Sequence, residues 1–100
     1  MKISPNEMAA QADNAEQFLK QIANSNRLMV LCVLVEGERS VGELNELVPI
    51  SQSALSQHLA KLRDARFVST RRESQTIYYR LADPRVKVLL DSLYSMFCTP

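Results

Sequence analysis

The periodicity of the chain changes once, near residue 66, and that change restricts the fold more than any other feature. Upstream, "SQSALSQHLAKLRDA" (51–65) places Leu55, Leu59 and Leu62 at i, i+4 and i+7, one apolar stripe along a helix. Downstream, "RFVSTRRE" and "QTIYYRLA" are rich in Val, Thr, Tyr and Ile. There Ile77, Tyr79 and Leu81 alternate with Thr76, Tyr78 and Arg80. That pattern predicts two strands with a turn near Glu73–Ser74 and with Arg71 and Arg72 at the tip.

The other elements carry their own boundary signals. Ala12, Ala15, Phe18, Leu19 and Ile22 predict a helix over 6–23, with a break near Asp13–Asn14. "NSN" (24–26) offers caps for a second helix through Leu28, Leu31, Cys32 and Val35, which Gly37 stops. "VGELNELV" (41–48) reads as a short helix with Ser40 as N-cap and Glu43 completing a capping box. Pro49 ends it, and Ser51 caps the next helix. Asp83 caps a last helix with Pro84 at its first position, carrying Val86, Leu89, Leu90, Leu93, Met96 and Phe97.

The expected architecture is mainly α with a β-hairpin wing, a winged helix-turn-helix in the order α-α-α-α-β-β-α. One domain spans 1–100, with the helix-turn-helix at about 41–65 and the wing at about 67–82. A core of this size is modest, and a partner subunit would add to it.

Net charge is only +1, but it is unevenly spread. Residues 61–87 hold eight basic and three acidic groups, a net +5, while residues 1–60 hold four basic and seven acidic groups, a net −3. A local positive field suits a nucleic-acid surface, although a solvated charged face explains the charge equally well. The helix at 51–65 tips the balance. Its outer face carries small and amide side chains that can bond base edges without blocking approach to a major groove. Ser51, Gln52, Ser53, Ser56, Gln57 and His58 are candidate base or phosphate contacts, and Lys61 is a candidate phosphate contact. Arg71, Arg72 and Gln75 are the wing candidates. His58 lies at the edge of the buried stripe, where it either meets DNA or packs and hydrogen-bonds.

Cys32 and Cys98 are the two cysteines, 66 residues apart. The longest apolar run, "LMVLCVLV", is eight residues, far short of a membrane span of roughly 20. No signal-peptide pattern opens the chain. The expected location is the cytoplasm, where structural disulfides are rare. Cys32 shares a face with Leu28 and Val35 and reads most simply as a small core residue. Cys98, near the end of the sequence, has less reason to be one. No cation flanks Cys32 closely, so no activated thiolate is evident. His58 and the two cysteines are the whole inventory of soft ligands, too few for a tetrahedral zinc site within one subunit. No metal, cofactor or membrane partner is expected. With no CxxC, no Gly-rich phosphate loop and one unpartnered His, neither is an enzyme.

The stretch from "LKQIANSNRLMVLCVLVEG" through "SQSALSQHLAKLR" to "TRRESQTIYYRL" resembles the ArsR/SmtB family of bacterial transcriptional repressors, closely over residues 18–81 and more loosely over the last helix. The resemblance implies a homodimer joined through the first and last helices, about 6–23 and 84–98. It also implies binding to imperfect palindromes of double-stranded operator DNA. Two departures stand out: Ser25 where many members have Pro, and Ser74 where many have Gly. The positions used by metal-sensing members hold no Cys in "SVGELNEL" and no His in "DPRVKVLLDSLYSMFC". The two-cysteine arrangement instead looks like the HlyU, BigR and SqrR branch. There the resemblance implies that Cys32 and Cys98 sense persulfides, polysulfides or oxidants by forming a bridge that lowers DNA affinity. The alternative is a HlyU-like regulator that displaces a silencing protein from virulence genes and has inert thiols.

Overall fold

The computed structural model describes residues 2–98. The order is α1 (Pro5–Ile22), α2 (Ser25–Val35), β1 (Arg39–Ser40), α3 (Val41–Leu47), α4 (Gln52–Asp64), β2 (Val68–Glu73), β3 (Thr76–Leu81) and α5 (Pro84–Phe97). The expected helices and hairpin are all present. β1 is an addition, since two residues carry no period to read.

Each helix starts where a side chain satisfies free backbone donors. The Ser4 hydroxyl accepts from the Glu7 amide at 3.2 Å, with Pro5 in the first turn. α1 then runs unbroken past Asp13 and Asn14, contrary to the expected break. Both side chains are exposed, and poor helix propensity at a solvated site costs only a few tenths of a kcal/mol. Asn24 caps α2 through Oδ1, which accepts from the amides of Asn26 at 3.0 Å and Arg27 at 3.1 Å. Those bonds fix the helix start that Ser25, in place of Pro, leaves less rigid. Ser40 and Glu43 form the full capping box, with bonds of 2.9 and 3.1 Å. Asp83 caps α5 through the Arg85 amide at 2.9 Å.

The core gathers the inner stripes of these helices. Val30, Leu31 and Leu34 of α2, Leu44 of α3, Leu55, Leu59 and Leu62 of α4, and Val86 and Leu90 of α5 are buried together with Ile22, Val48, Phe67 and Val68. α1 contributes little to it: Ile22 is its one buried residue, and Phe18 packs on Phe67 with ring centroids 5.1 Å apart. Among the described residues, no single helix is long and apolar enough to cross a membrane.

The sheet order is β1-β3-β2, all antiparallel. Arg39 lies opposite Tyr79 and Ser40 opposite Tyr78, so the strand that precedes α3 is hydrogen-bonded to the wing. In the hairpin Glu73 lies opposite Thr76, which leaves Ser74 and Gln75 as a two-residue loop. The turn therefore falls one residue later than expected. Arg71 and Arg72, opposite Tyr78 and Ile77, stand on β2 and not at the tip.

Among the described residues, two other than Gly adopt left-handed backbone. Arg66 (φ 63°) follows α4, where its own amide bonds to Arg63 O at 2.9 Å and the Phe67 amide bonds to Leu62 O at 3.0 Å. These are the paired bonds of a Schellman C-cap, with buried Phe67 and Leu62 as its apolar contact. Ser74 (φ 57°) opens the wing turn. A side chain in this region costs about 1–2 kcal/mol, partly offset by the smaller unfolded-state entropy relative to Gly. We expect Arg66→Gly and Ser74→Gly each to raise the unfolding free energy by roughly 0.5–1 kcal/mol in urea titrations. A lowered midpoint for either would contradict the reading of that turn.

Candidate nucleic-acid interface and thiol pair

The turn between α3 and α4 is held from both sides. Asn45 Nδ2 on α3 donates to the carbonyl of Ile50 at 2.9 Å, and the Ser51 hydroxyl accepts from the Ala54 amide at 3.1 Å. With Leu55, Leu59 and Leu62 buried, α4 can only turn its other side outward. Ser51, Gln52, Ser53, Ser56, Gln57, Ala60 and Lys61 are all exposed. The face offers hydroxyl and amide groups near the helix N-terminus and a cation a turn or more later.

His58 sits apart from that set. It is half-buried, and its Nδ1 accepts a hydrogen bond from Arg27 Nε at 3.1 Å. Arg27 is in turn held through its guanidinium on the Gln21 carbonyl at 3.1 Å. The packing and hydrogen bond expected of His58 are thus present at Nδ1, and a contact between Nε2 and DNA stays compatible with them. Burial, followed by the nearby cations Arg27 and Lys61, lowers its pKa from the usual imidazole value.

On the wing, Arg71 is strongly engaged. Its Nε and Nη2 reach Glu38 Oε1 at 2.8 and 2.7 Å, and its Nη1 reaches Glu73 at 2.8 Å. Its guanidinium also lies 4.4 Å from the centroid of the Tyr78 ring. These bonds keep the Glu38 carboxyl below the usual carboxylate range, the hydrogen bond from Arg71 contributing most. Arg85 and Lys87 are likewise matched, to Asp83 and Asp91, both at 2.7 Å. Lys61, Arg63, Arg66, Arg72 and Arg80 are exposed, and none has a carboxylate within 4 Å among the described residues. The excess positive charge of 61–87 therefore rests on α4, its C-cap and the wing. Gln75 is exposed at the wing tip, beside Ser74.

Cys32 and Cys98 are both free thiols and both exposed. Cys32 is thus outside the buried core, which α2 supplies through Val30, Leu31 and Leu34. Cys98 caps α5, its amide bonding to Tyr94 O at 2.8 Å. The two cysteines line one apolar pocket of about 200 Å³ with Leu28, Leu90, Leu93, Tyr94 and Phe97. Burial, and secondarily the neighbouring Cys98, pushes the Cys32 thiol pKa up. Among the described residues, no three His, Cys, Asp or Glu groups come together to hold a metal ion.

Comparison with known proteins decides what this arrangement is. The sequence pattern of the arsR family of bacterial regulatory proteins matches residues 24–70, from the α2 cap into β2. The transcriptional activator HlyU of Vibrio cholerae is 46% identical over 92% of this chain and 85% of its own length. This chain belongs to the ArsR family. The solved structure of reduced HlyU from V. cholerae superposes with a TM-score of 0.88 at 45% identity, covering 93% of this chain and 98% of that one. The transcriptional repressor BigR from Xylella fastidiosa gives 0.88 at 40% identity, covering 98% and 100%. A homodimeric winged helix-turn-helix DNA-binding domain from Mycobacterium bovis gives 0.76 at 29%, covering 96% and 89%. This ArsR protein is accordingly a winged helix-turn-helix transcriptional regulator.

Three residues with clear structural work escaped the sequence reading: Arg27, Glu38 and Asn45. A signal existed for Arg27. A cation in the first turn of a helix opposes the helix dipole and needs another reason to be there. Glu38 and Asn45 look like ordinary polar residues until their partners are known.

Two outcomes follow for the ArsR protein. Asn45→Ala should cost about 1 kcal/mol of stability and loosen the turn. Amide exchange at Ile50 and Ser51 faster than in the wild type, with α4 unchanged, would show this; an equal change throughout α4 would not. Because the folded state depresses the His58 pKa, the unfolded chain takes up that proton first as pH falls. Stability from this group is complete above pH ~6.5 and is lost on acidification below it. Unfolding free energies measured between pH 7.5 and 5 should fall, and His58→Gln should remove part of that slope.

Proposed function

We propose that two copies of this ArsR protein bind an imperfect palindrome in double-stranded operator DNA as a repressor, one α4 in each major-groove half-site. The carrying observation is the solvated Ser/Gln face of α4 beside the unmatched cations Lys61, Arg63, Arg66, Arg72 and Arg80. In this reading Gln52, Ser53, Ser56 and Gln57 contact base edges, and Ser51 with the first α4 amides meets a phosphate. Lys61 and Arg72 also neutralise phosphates, and Gln75 reaches the adjoining groove. Arg71 acts chiefly by holding the wing against Glu38, and His58 lies at the flank of the reading face. The copies join through α1 and α5, where Leu19, Val88, Tyr94, Met96 and Phe97 leave between 48% and 79% of their surface exposed. The homodimeric M. bovis neighbour supports that assembly. A regulator of this kind works in the bacterial cytoplasm.

In the finer reading, the pocket shared by Cys32 and Cys98 is a thiol switch. Two thiols and one persulfide RSSH yield a Cys32–Cys98 disulfide, the thiol RSH and hydrogen sulfide. A second persulfide adds one sulfur to the bridge and releases another RSH. A peroxide would take the same two electrons and two protons and leave as water. A bridge between α2 and α5 would alter the spacing of the two α4 helices, which must match half-sites roughly 34 Å apart. The raised pKa of Cys32 favours a second reading, in which the thiols are inert and the protein acts as a HlyU-like activator or anti-silencer.

Gln57→Ala should weaken specific binding by about 1–3 kcal/mol per half-site, and Arg72→Ala should lower the salt slope by about 1 per contact. Affinities for a fragment selected by the wild-type protein check both. Intact mass and DNA affinity before and after glutathione persulfide test the switch. A bridged mass with reductant-reversible loss of affinity supports it. Unmodified thiols, or a bridge with unchanged affinity, would leave the second reading standing.

A further inference from the structure

His58 carries the one imidazole of the chain, and its hydrogen-bond partner is a cation. Arg27 is a permanent cation with donors only. For its Nε to donate to His58 Nδ1 at 3.1 Å, that nitrogen must be bare. The neutral ring then carries its proton on Nε2. Arg27 does not swing freely, because its Nη1 is also fixed on the Gln21 carbonyl at the end of α1. The charged groups acting on the ring are Arg27 from α2 and Lys61 from its own helix, both cations; Gln21 of α1 is neutral. No protein group among the described residues accepts from His58 Nε2.

We propose that Arg27 is a positioning residue for DNA binding: it locks His58 in the neutral Nε2–H tautomer and so presents a single uncharged donor to a phosphate oxygen beside α4. The inference rests on α4 reading DNA. An unlocked histidine beside phosphates would become an imidazolium as pH falls, and a charge-assisted bond of that kind is about twice as strong as a neutral one. The lock keeps operator affinity constant across the range in which a free histidine titrates.

The first measurement is the long-range 15N–1H spectrum of the His58 ring in the wild-type protein, which needs no variant. It should show the Nε2–H tautomer at pH 7. A Nδ1–H ring or an imidazolium would overturn the proposal. The second is affinity at fixed salt from pH 7.5 to 5.8, for a DNA fragment selected by the wild type. Wild-type affinity should change less than about twofold. Arg27→Met should tighten about fivefold on acidification. Arg27→Met with His58→Gln, whose amide replaces the Nε2 donor and cannot titrate, should be flat again. Equal profiles for wild type and Arg27→Met would overturn the positioning role while leaving DNA reading intact. Failure of the wild type to select any DNA at any pH would overturn both.

Discussion

Everything on the polar face of α4 depends on the burial of Leu55, Leu59 and Leu62. These three side chains are fully inside, each removing a couple of kcal/mol of apolar surface from water, and they leave α4 no freedom to roll. A helix that cannot roll must keep its serines and glutamines outward. The caps at Ser40 and Ser51 and the Asn45–Ile50 bond then settle where along its axis that face begins. The polar face is a consequence of the apolar one.

What the sequence revealed follows from what is local. Caps at Asn24, Ser40, Ser51 and Asp83 are set by residues within three positions of each other, and all formed as read. The change of period located the wing. What stayed hidden is long-range. Glu38 and Arg71 are 33 residues apart, and Arg27 and His58 are 31 apart. No periodicity joins such pairs, so Arg71 looked like a free cation. The turn at Ser74 was displaced by one residue because Glu73, a poor strand former, is still carried by the ladder opposite Thr76.

The thiols show a different limit. Sequence supplied their identity and the family resemblance suggested their pairing, but neither could show that they share one pocket. The pocket is apolar, lined by Leu28, Leu90, Leu93, Tyr94 and Phe97. Such a lining disfavours a thiolate. Its walls belong to α2 and α5, so whatever changes there acts on the frame and not on the polar face of α4.

Ser40 stands at a junction. Its backbone pairs with Tyr78 of the wing while its side chain begins α3, the first helix of the reading motif. One residue therefore belongs at once to the sheet and to the helix-turn-helix. The wing has no hinge of its own against α3: to tilt it independently, a sheet register and a helix cap would have to break together. Wing and helix-turn-helix therefore move as one rigid paddle. In a two-copy assembly the adjustable parameter would then be the angle between paddles, set where the copies meet.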